Sequence, residues 1–280
     1  MEQYTAWMVD LKSSRDYDLS DRSDITRRIA EVSAVLNRLF EPSLACALDF
    51  SAGDELQGLF RSAPAAYLCV RLFRMLLWPA QIRAGLGLGT WDIRVPEAGT
   101  TAQDGKAYHR ARAAITAAEK GDCTALFCSE GDGDQLVNFA IGTELTLTQT
   151  LTEAQNDLML TAELTYPITV PDAMDLTVVP ALAELMQGKA VYGFYSARGR
   201  RTLGFDRRPE ILAPVNALAP EDGLYVIAGK TRGLPTAVAD CTGITKQSVA
   251  KTLKTAHIYS ARNAAIVALR LLAQAEEREI

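Results

Sequence analysis

Two carboxylates near the start of the chain have the type and spacing for metal-assisted phosphoryl chemistry. Tyr4-Thr-Ala-Trp-Met-Val-Asp10-Leu-Lys-Ser-Ser-Arg15 reads as a short buried strand ending in an aspartate. Ser43-Leu-Ala-Cys-Ala-Leu-Asp-Phe-Ser-Ala-Gly53-Asp54-Glu55-Leu-Gln-Gly-Leu-Phe60 reads as two strands joined by a tight turn at Gly53-Asp54. Mg²⁺ takes oxygen ligands, usually one or two carboxylates plus substrate phosphates. A metal pair steadies both the attacking and the leaving oxygens of a displacement. Asp10 and Asp54, each at a strand end with one helix between them, supply such ligands. Asp10 could instead cap the turn that follows it. An acid inside an apolar strand is costly unless it is paired, which favours metal or phosphate chemistry. Asp54 alone would be an ordinary hairpin turn, and its pairing with Asp10 is what lifts it.

The elements around these residues follow from hydrophobic period. Between Asp21 and Phe40, Ile25, Ile29, Val32, Val35, Leu36 and Leu39 recur at three- and four-residue spacing, with Arg27, Arg28 and Glu31 opposite, so a helix is expected. Asp21 or Ser23 is the expected cap. Leu44, Cys46, Leu48 and Phe50 alternate as in a half-buried strand, and Leu56 to Phe60 returns beside it. Pro64 opens a second helix, Ala65 to Leu77, closed by Pro79. Ile82, Ala84, Leu86 and Leu88 predict another strand, 104–119 a helix and 124–128 a short strand. The order implies an α+β sandwich with helices covering a mostly antiparallel sheet.

Bulk properties narrow the class. A chain of 280 residues with 48% apolar and 22% charged residues and net charge −5 fits a globular protein of one or two domains. No apolar run approaches the roughly 18 residues of a membrane helix, and Met1-Glu-Gln-Tyr does not begin like a signal peptide. Five cysteines (Cys46, Cys69, Cys123, Cys128, Cys241) without C-x-x-C spacing argue against a disulfide framework or a zinc site. A reduced, cytoplasmic protein without a membrane partner is expected.

The motif series resembles the palm-like domain, of ferredoxin-like plan, shared by class III nucleotidyl cyclases and GGDEF diguanylate cyclases. Asp10-Leu11 matches their metal-binding Asp and the following residue whose carbonyl helps. Gly53-Asp54-Glu55-Leu56 matches the cyclase Gly-Asp turn and most of the GGDEF signature. Arg83-Ala-Gly-Leu-Gly-Leu-Gly89 stands where a glycine-rich strand follows, and Gly105-Lys-Ala-Tyr-His109-Arg-Ala-Arg112 where a Gly leads into a helix. With Asp104-Gly-x-Ala-Tyr-His-x-Ala-Arg112, the set looks most like the SatD family of bacterial proteins, over roughly residues 1–130. The resemblance implies that Asp10, Leu11, Asp54 and Glu55 hold two Mg²⁺ or Mn²⁺. It places Lys12, Ser13, Ser14 and Arg15 around a nucleoside triphosphate, near Gly53 and His109, with Arg112 facing the phosphates. Asp10, Asp54 and Arg112 would be catalytic, with a 3′-hydroxyl attacking an α-phosphate across a homodimer. The chain departs from the cyclase pattern at four places. Phe50 stands where a base-selecting Lys belongs, Asp104 adjoins Gly105, His109 replaces an Asn, and Arg112 falls one residue early.

From 132 to 166 the pattern is mostly helical, with Leu136, Phe139, Ala140, Leu145 and Leu158 as expected core. Ala190 to Tyr195 reads as a strand that turns back through a hairpin carrying Arg198, Arg200, Arg201, Arg207 and Arg208. Residues 234–256 form a helix-turn-helix pattern: Gly243 in the turn, Thr245 as cap, Ile244, Val249 and Leu253 inward. Lys246, Gln247, Ser248, Lys251 and Thr252 then face outward, types suited to phosphates and base edges. From Lys230 to Asn263, Lys230, Arg232, Lys246, Lys251, Lys254 and Arg262 against Asp240 alone make the segment basic. A last amphipathic helix follows from Ser260 to Leu272. The expected organisation is a cyclase-like domain at 1–130, a connector at 131–228 and a DNA-binding helix-turn-helix at 229–280. Two further readings stand beside a nucleotide-binding cyclase-like protein: a DNA-binding regulator with a silent cyclase-like domain, and a structural interaction protein.

Overall fold

The computed structural model describes residues 2–95, 99–196 and 203–279. Its N-terminal half runs β1 (Tyr4–Leu11), α1 (Leu19–Leu39), β2 (Leu44–Ala52), β3 (Glu55–Phe60), α2 (Ala63–Leu77), β4 (Ile82–Gly89), α3 (Lys106–Lys120) and β5 (Ala125–Cys128). The five strands form one sheet in the order β2-β3-β1-β4-β5. All neighbours are antiparallel except β4 and β5, which run parallel. The first six elements thus have the split β-α-β-β-α-β arrangement, with α3 and β5 added at one edge.

Alternation along β1 divides the core. Trp7, Val9 and Leu11 join the large cluster beneath α1 and α2, whereas Tyr4, Ala6 and Met8 meet Ala107, Tyr108, Ala111 and Ile115 of α3. Asp10 shares the α3 face with Met8 because side chains two apart point the same way. On β4 the α3 face is made of Gly85, Gly87 and Gly89. A Cβ at Gly87 would lie 2.1 Å from the Ala111 nitrogen and 2.2 Å from the Ala107 carbonyl oxygen. The glycine repeat is therefore a groove that lets the α3 backbone lie directly on the sheet.

The remainder is mostly helical: α4 (Asp134–Thr148), α5 (Glu153–Thr165), β6 (Ile168–Thr169), α6 (Val179–Gly188), α7 (Gly193–Ser196), β7 (Val215–Asn216), α8 (Leu234–Thr242), α9 (Lys246–Thr255) and α10 (Ile258–Glu279). β6 and β7 pair in parallel. α10 packs on α4 and α2, while α5 joins α2 to α8 and α9. One hydrophobic cluster runs from Trp7 to Leu272, so all three segments marked out in the sequence contribute to a shared core. No helix among the described residues is long and apolar enough to cross a membrane, and all five cysteines are free thiols.

Four expectations need correction. Asp18, not Asp21 or Ser23, caps α1, its carboxylate accepting from the Asp21 N–H at 2.8 Å. Residues 189–196 are helical turns rather than a strand. Lys189 and Tyr195 are buried there while Val191 is exposed, a period near three that the run of apolar residues disguised as two. The hairpin expected from it does not form at 190–196, and Arg198, Arg200 and Arg201 lie outside the described residues. Leu136 and Phe139 are 57% and 73% exposed. The buried stripe of α4 is instead Val137, Ala140, Ile141, Glu144, Leu145 and Thr148, and two of its members are polar groups bonded to α2.

Candidate functional site

Strand register builds a row of charge across the α3 face at one end of the sheet. Asp10 on β1 pairs with Arg83 on β4, and the β1–β3 register, continued one step beyond Val9↔Leu56, sets Glu55 opposite Asp10. The Asp10 Oδ2 lies 3.5 Å from Arg83 Nη1, which in turn lies 3.7 Å from Glu119 Oε1 at the end of α3. The other carboxylate oxygen, Oδ1, is buried without a hydrogen-bond donor. Burial raises the Asp10 pKa, Arg83 opposes that, and the charges of Asp54, Glu119 and Glu55 add to the rise. A carboxylate in this condition gains from a cation placed against it.

Asp54 lies in the β2–β3 turn beside Gly53, whose φ of 63° is left-handed and suits glycine. Glu55 is already saturated. Arg112 grips it with two parallel hydrogen bonds, Nη1 to Oε2 at 2.5 Å and Nη2 to Oε1 at 2.7 Å. Ser51 and Gln57 also donate to Oε1 at 2.8 and 2.9 Å. Burial alone would raise the Glu55 pKa, but the bonds from Arg112, Gln57 and Ser51 outweigh it and bring the carboxyl down to about 2. The early placement of Arg112 on α3 thus directs it to the Glu55 side chain. His109 is 75% exposed and 3.2 Å from Asp104 Oδ1, which also accepts from the Gly105 N–H.

The segment after β1 divides. Ser13 is left-handed (φ 55°) and opens a single 3₁₀ turn over Ser14–Asp16, with Ser13 and Arg15 exposed. Lys12 turns the other way, forming an ion pair with Asp122 in the turn after α3. The residues marked out by sequence therefore divide at one sheet end: Asp10, Glu55 and Arg112 toward α3, Asp54 in the hairpin turn beside them, and Lys12 toward the α3–β5 turn. Arg83 and Glu119, the charged neighbours of Asp10, were not singled out in advance. A lone charged residue at the head of a glycine-rich strand was the available signal for Arg83.

The family model that matches the chain is that of the SatD family, over residues 4–160. The chain belongs to the SatD family. No curated protein and no solved structure matches it. The match in this SatD-family protein spans the whole sheet, the row of charge, α4 and the start of α5, and leaves α8 to α10 outside.

The donor set can be tested against a divalent cation. Among the described residues no group of three or more His, Cys, Asp or Glu side chains converges as a resident metal site. With Glu55 committed to Arg112, Asp10 and Asp54 remain. Two carboxylates are an incomplete set for Mg²⁺, which draws its remaining oxygen ligands from water or a bound anion.

At the other end, α8 and α9 are joined by a three-residue turn in which Gly243 has φ 65°. Thr245 caps α9, accepting from the Ser248 N–H. Val249 and Leu253 are fully buried and Ile244 partly so, while Lys246, Gln247, Ser248 and Lys251 are exposed and Thr252 is half-buried. Arg262 belongs to the interior, 2.8 Å from Glu163 Oε1, so it adds nothing to the basic surface.

Proposed function

We propose that this SatD-family chain binds a nucleoside triphosphate with Mg²⁺ or Mn²⁺ through a cyclase-like, palm-type N-terminal half, coupled to a helix-turn-helix output at 234–256. The observation that carries the reading is the buried, donor-less Oδ1 of Asp10 at the end of β1, near enough to Asp54 for that charge to raise the Asp10 pKa. In this reading Asp10 and Asp54 hold the cation, which would shield the phosphates and polarise the α-phosphate. The exposed turn at Ser13 to Arg15 supplies backbone and side-chain donors to the triphosphate. Arg112 positions Glu55 and adds positive potential toward the phosphates. Attack of a 3′-hydroxyl on the α-phosphate, breaking the α–β phosphoanhydride bond with pyrophosphate leaving, is the corresponding chemistry, and the composite sites of cyclases imply a homodimer.

The test is incubation with ATP, GTP, CTP and UTP in Mn²⁺, with products resolved by chromatography and ligand-induced thermal stabilisation measured in parallel. Asp54→Ala is expected to abolish metal-dependent nucleotide stabilisation without unfolding the protein. Nucleotide binding left unchanged in both Asp54→Ala and Asp10→Ala would overturn the reading.

The bidentate Arg112–Glu55 pair favours a second reading, a DNA-binding regulator whose cyclase-like half binds without turnover. Each phosphate-contacting lysine contributes about one unit to the salt dependence of DNA affinity. Lys251→Ala should therefore weaken binding to duplex DNA and reduce that slope by about one, measured by fluorescence anisotropy across a salt series. An unchanged slope would argue against α9 as the DNA-contacting helix.

A further inference from the structure

A cavity of about 280 Å³ opens on the opposite side of the same sheet end, between the close of α2, the start of β4 and the turn after α4. Lys12, Arg74, Trp78, Gln81, Asp122 and Thr124 line it. Arg74 is its unusual member. It is 5% exposed, its Nη2 donates to Thr148 Oγ1, and its Nε has no hydrogen-bond acceptor.

The charge around Arg74 does not balance. Its nearest carboxylate oxygen is Glu144 Oε1 at 3.9 Å, and that same oxygen lies closer, at 3.5 Å, to Arg71. Arg71 also pairs with Glu163 at 3.1 Å, and Glu163 is shared again with Arg262 at 2.8 Å. Three buried guanidiniums thus draw on two buried carboxylates. Arg74 holds the longest of these contacts, and it is the one that borders the cavity. An incompletely compensated cation in the interior is destabilising. Burial lowers the Arg74 pKa and Glu144 recovers only part of that. Lys12 adds a second cation at the rim, held by Asp122, whose side chain is 81% exposed.

We propose that this cavity is a binding site for a small organic anion, with one carboxylate or phosphate group set between Arg74 and Lys12 and a compact apolar body against Trp78. The anion supplies the charge missing around Arg74 and competes with Asp122 for Lys12. Gln81 and Thr124 offer further polar contacts. The volume lies just below the roughly 300 Å³ at which ligand pockets usually begin, so it admits only a compact ligand. The site is separate from the Asp10–Asp54 row, which lies on the α3 face, and does not depend on the nucleotide reading.

The test is a tryptophan-fluorescence titration of the full chain with benzoate, phenyl phosphate and inorganic phosphate, against sodium chloride at matched ionic strength. A saturable change, lost in Trp78→Phe, is expected for at least one of the aryl anions. Comparing benzoate with phenyl phosphate distinguishes carboxylate from phosphate. Affinity should fall at least tenfold in Arg74→Gln and several-fold in Lys12→Ala, while Asp54→Ala should titrate like the parent. Should Arg74→Gln fail to fold, Thr150→Tyr serves in its place: Thr150 is an exposed lining residue, and the added ring should block entry and remove the response. No saturable response beyond that of chloride would overturn the proposal, as would equal responses in the parent, Lys12→Ala and Thr150→Tyr.

Discussion

Asp10 is held in a state that costs the fold stability. One of its oxygens has no donor, and burial first, then Asp54, Glu119 and Glu55 against Arg83, raise its pKa. A carboxyl whose folded pKa is raised stabilises the fold at low pH, and that contribution fades as pH rises through the folded value. Asp10→Asn removes the charge and keeps the shape, and Arg83 retains Glu119 at 3.7 Å. Denaturant unfolding at pH 7 without nucleotide should show Asp10→Asn at least as stable as the parent. Its thermal stabilisation by Mn²⁺-nucleotide should be lost. Destabilisation comparable to a lost buried ion pair would mean that Asp10 serves only to anchor Arg83. At this scale the sequence is informative about which acids stand at strand ends, because a carboxylate in an apolar run has few bland explanations. It is silent about which of them are already spoken for. That Glu55 is committed to Arg112, Ser51 and Gln57 depends on α3 crossing the hairpin, a contact between residues 57 positions apart.

Elements were legible where a period is clean. The β1-α1-β2-β3-α2-β4 series, the turn at Gly53 and the α8–α9 pair all follow from spacing two or spacing three-to-four with a turn residue between. What spacing misses is polar side chains that belong inside. Arg71, Arg74, Glu144 and Glu163 are all buried, and on one-dimensional pattern alone they read as solvated faces. Leu136 and Phe139 were placed inside for the complementary reason: an apolar type says little when the neighbouring stripe of α4 carries the packing. The glycines of β4 are a motif that element contact explains. Gly87→Ala forces a Cβ to within 2.2 Å of two α3 backbone atoms, and overpacking against backbone should cost about 3 kcal/mol. Gly142→Ala, in α4 with nothing within 4 Å of the added carbon, should instead gain about 0.5–1 kcal/mol. Urea denaturation of the pair measures both. Equal effects at the two positions would mean that α3 is free to move off the sheet.

At the scale of the whole molecule, the last helix closes on the first half of the chain. α10 packs along α4 and α2, and the Glu276 carboxylate accepts from the Ala63 N–H at the first turn of α2. A helix N-terminus favours an anion, yet burial outweighs that N–H and raises the Glu276 pKa to about 7. The ordinary value is 4.5, so between about pH 4.5 and 7 the folded chain binds more protons here than the unfolded one. Stability therefore falls with rising pH through this window. The full shift corresponds to at most about 3 kcal/mol. Glu276→Gln keeps an acceptor for Ala63 and carries no charge. It should match the parent near pH 4.5 and exceed it by about 1–3 kcal/mol at pH 8, measured by guanidinium denaturation at both pH values. Parallel pH profiles for parent and variant would show that Glu276 stays ionised against α2. A difference that grows with pH would identify the α10–α2 contact as a place where protonation tightens the link between the C-terminal helices and the sheet.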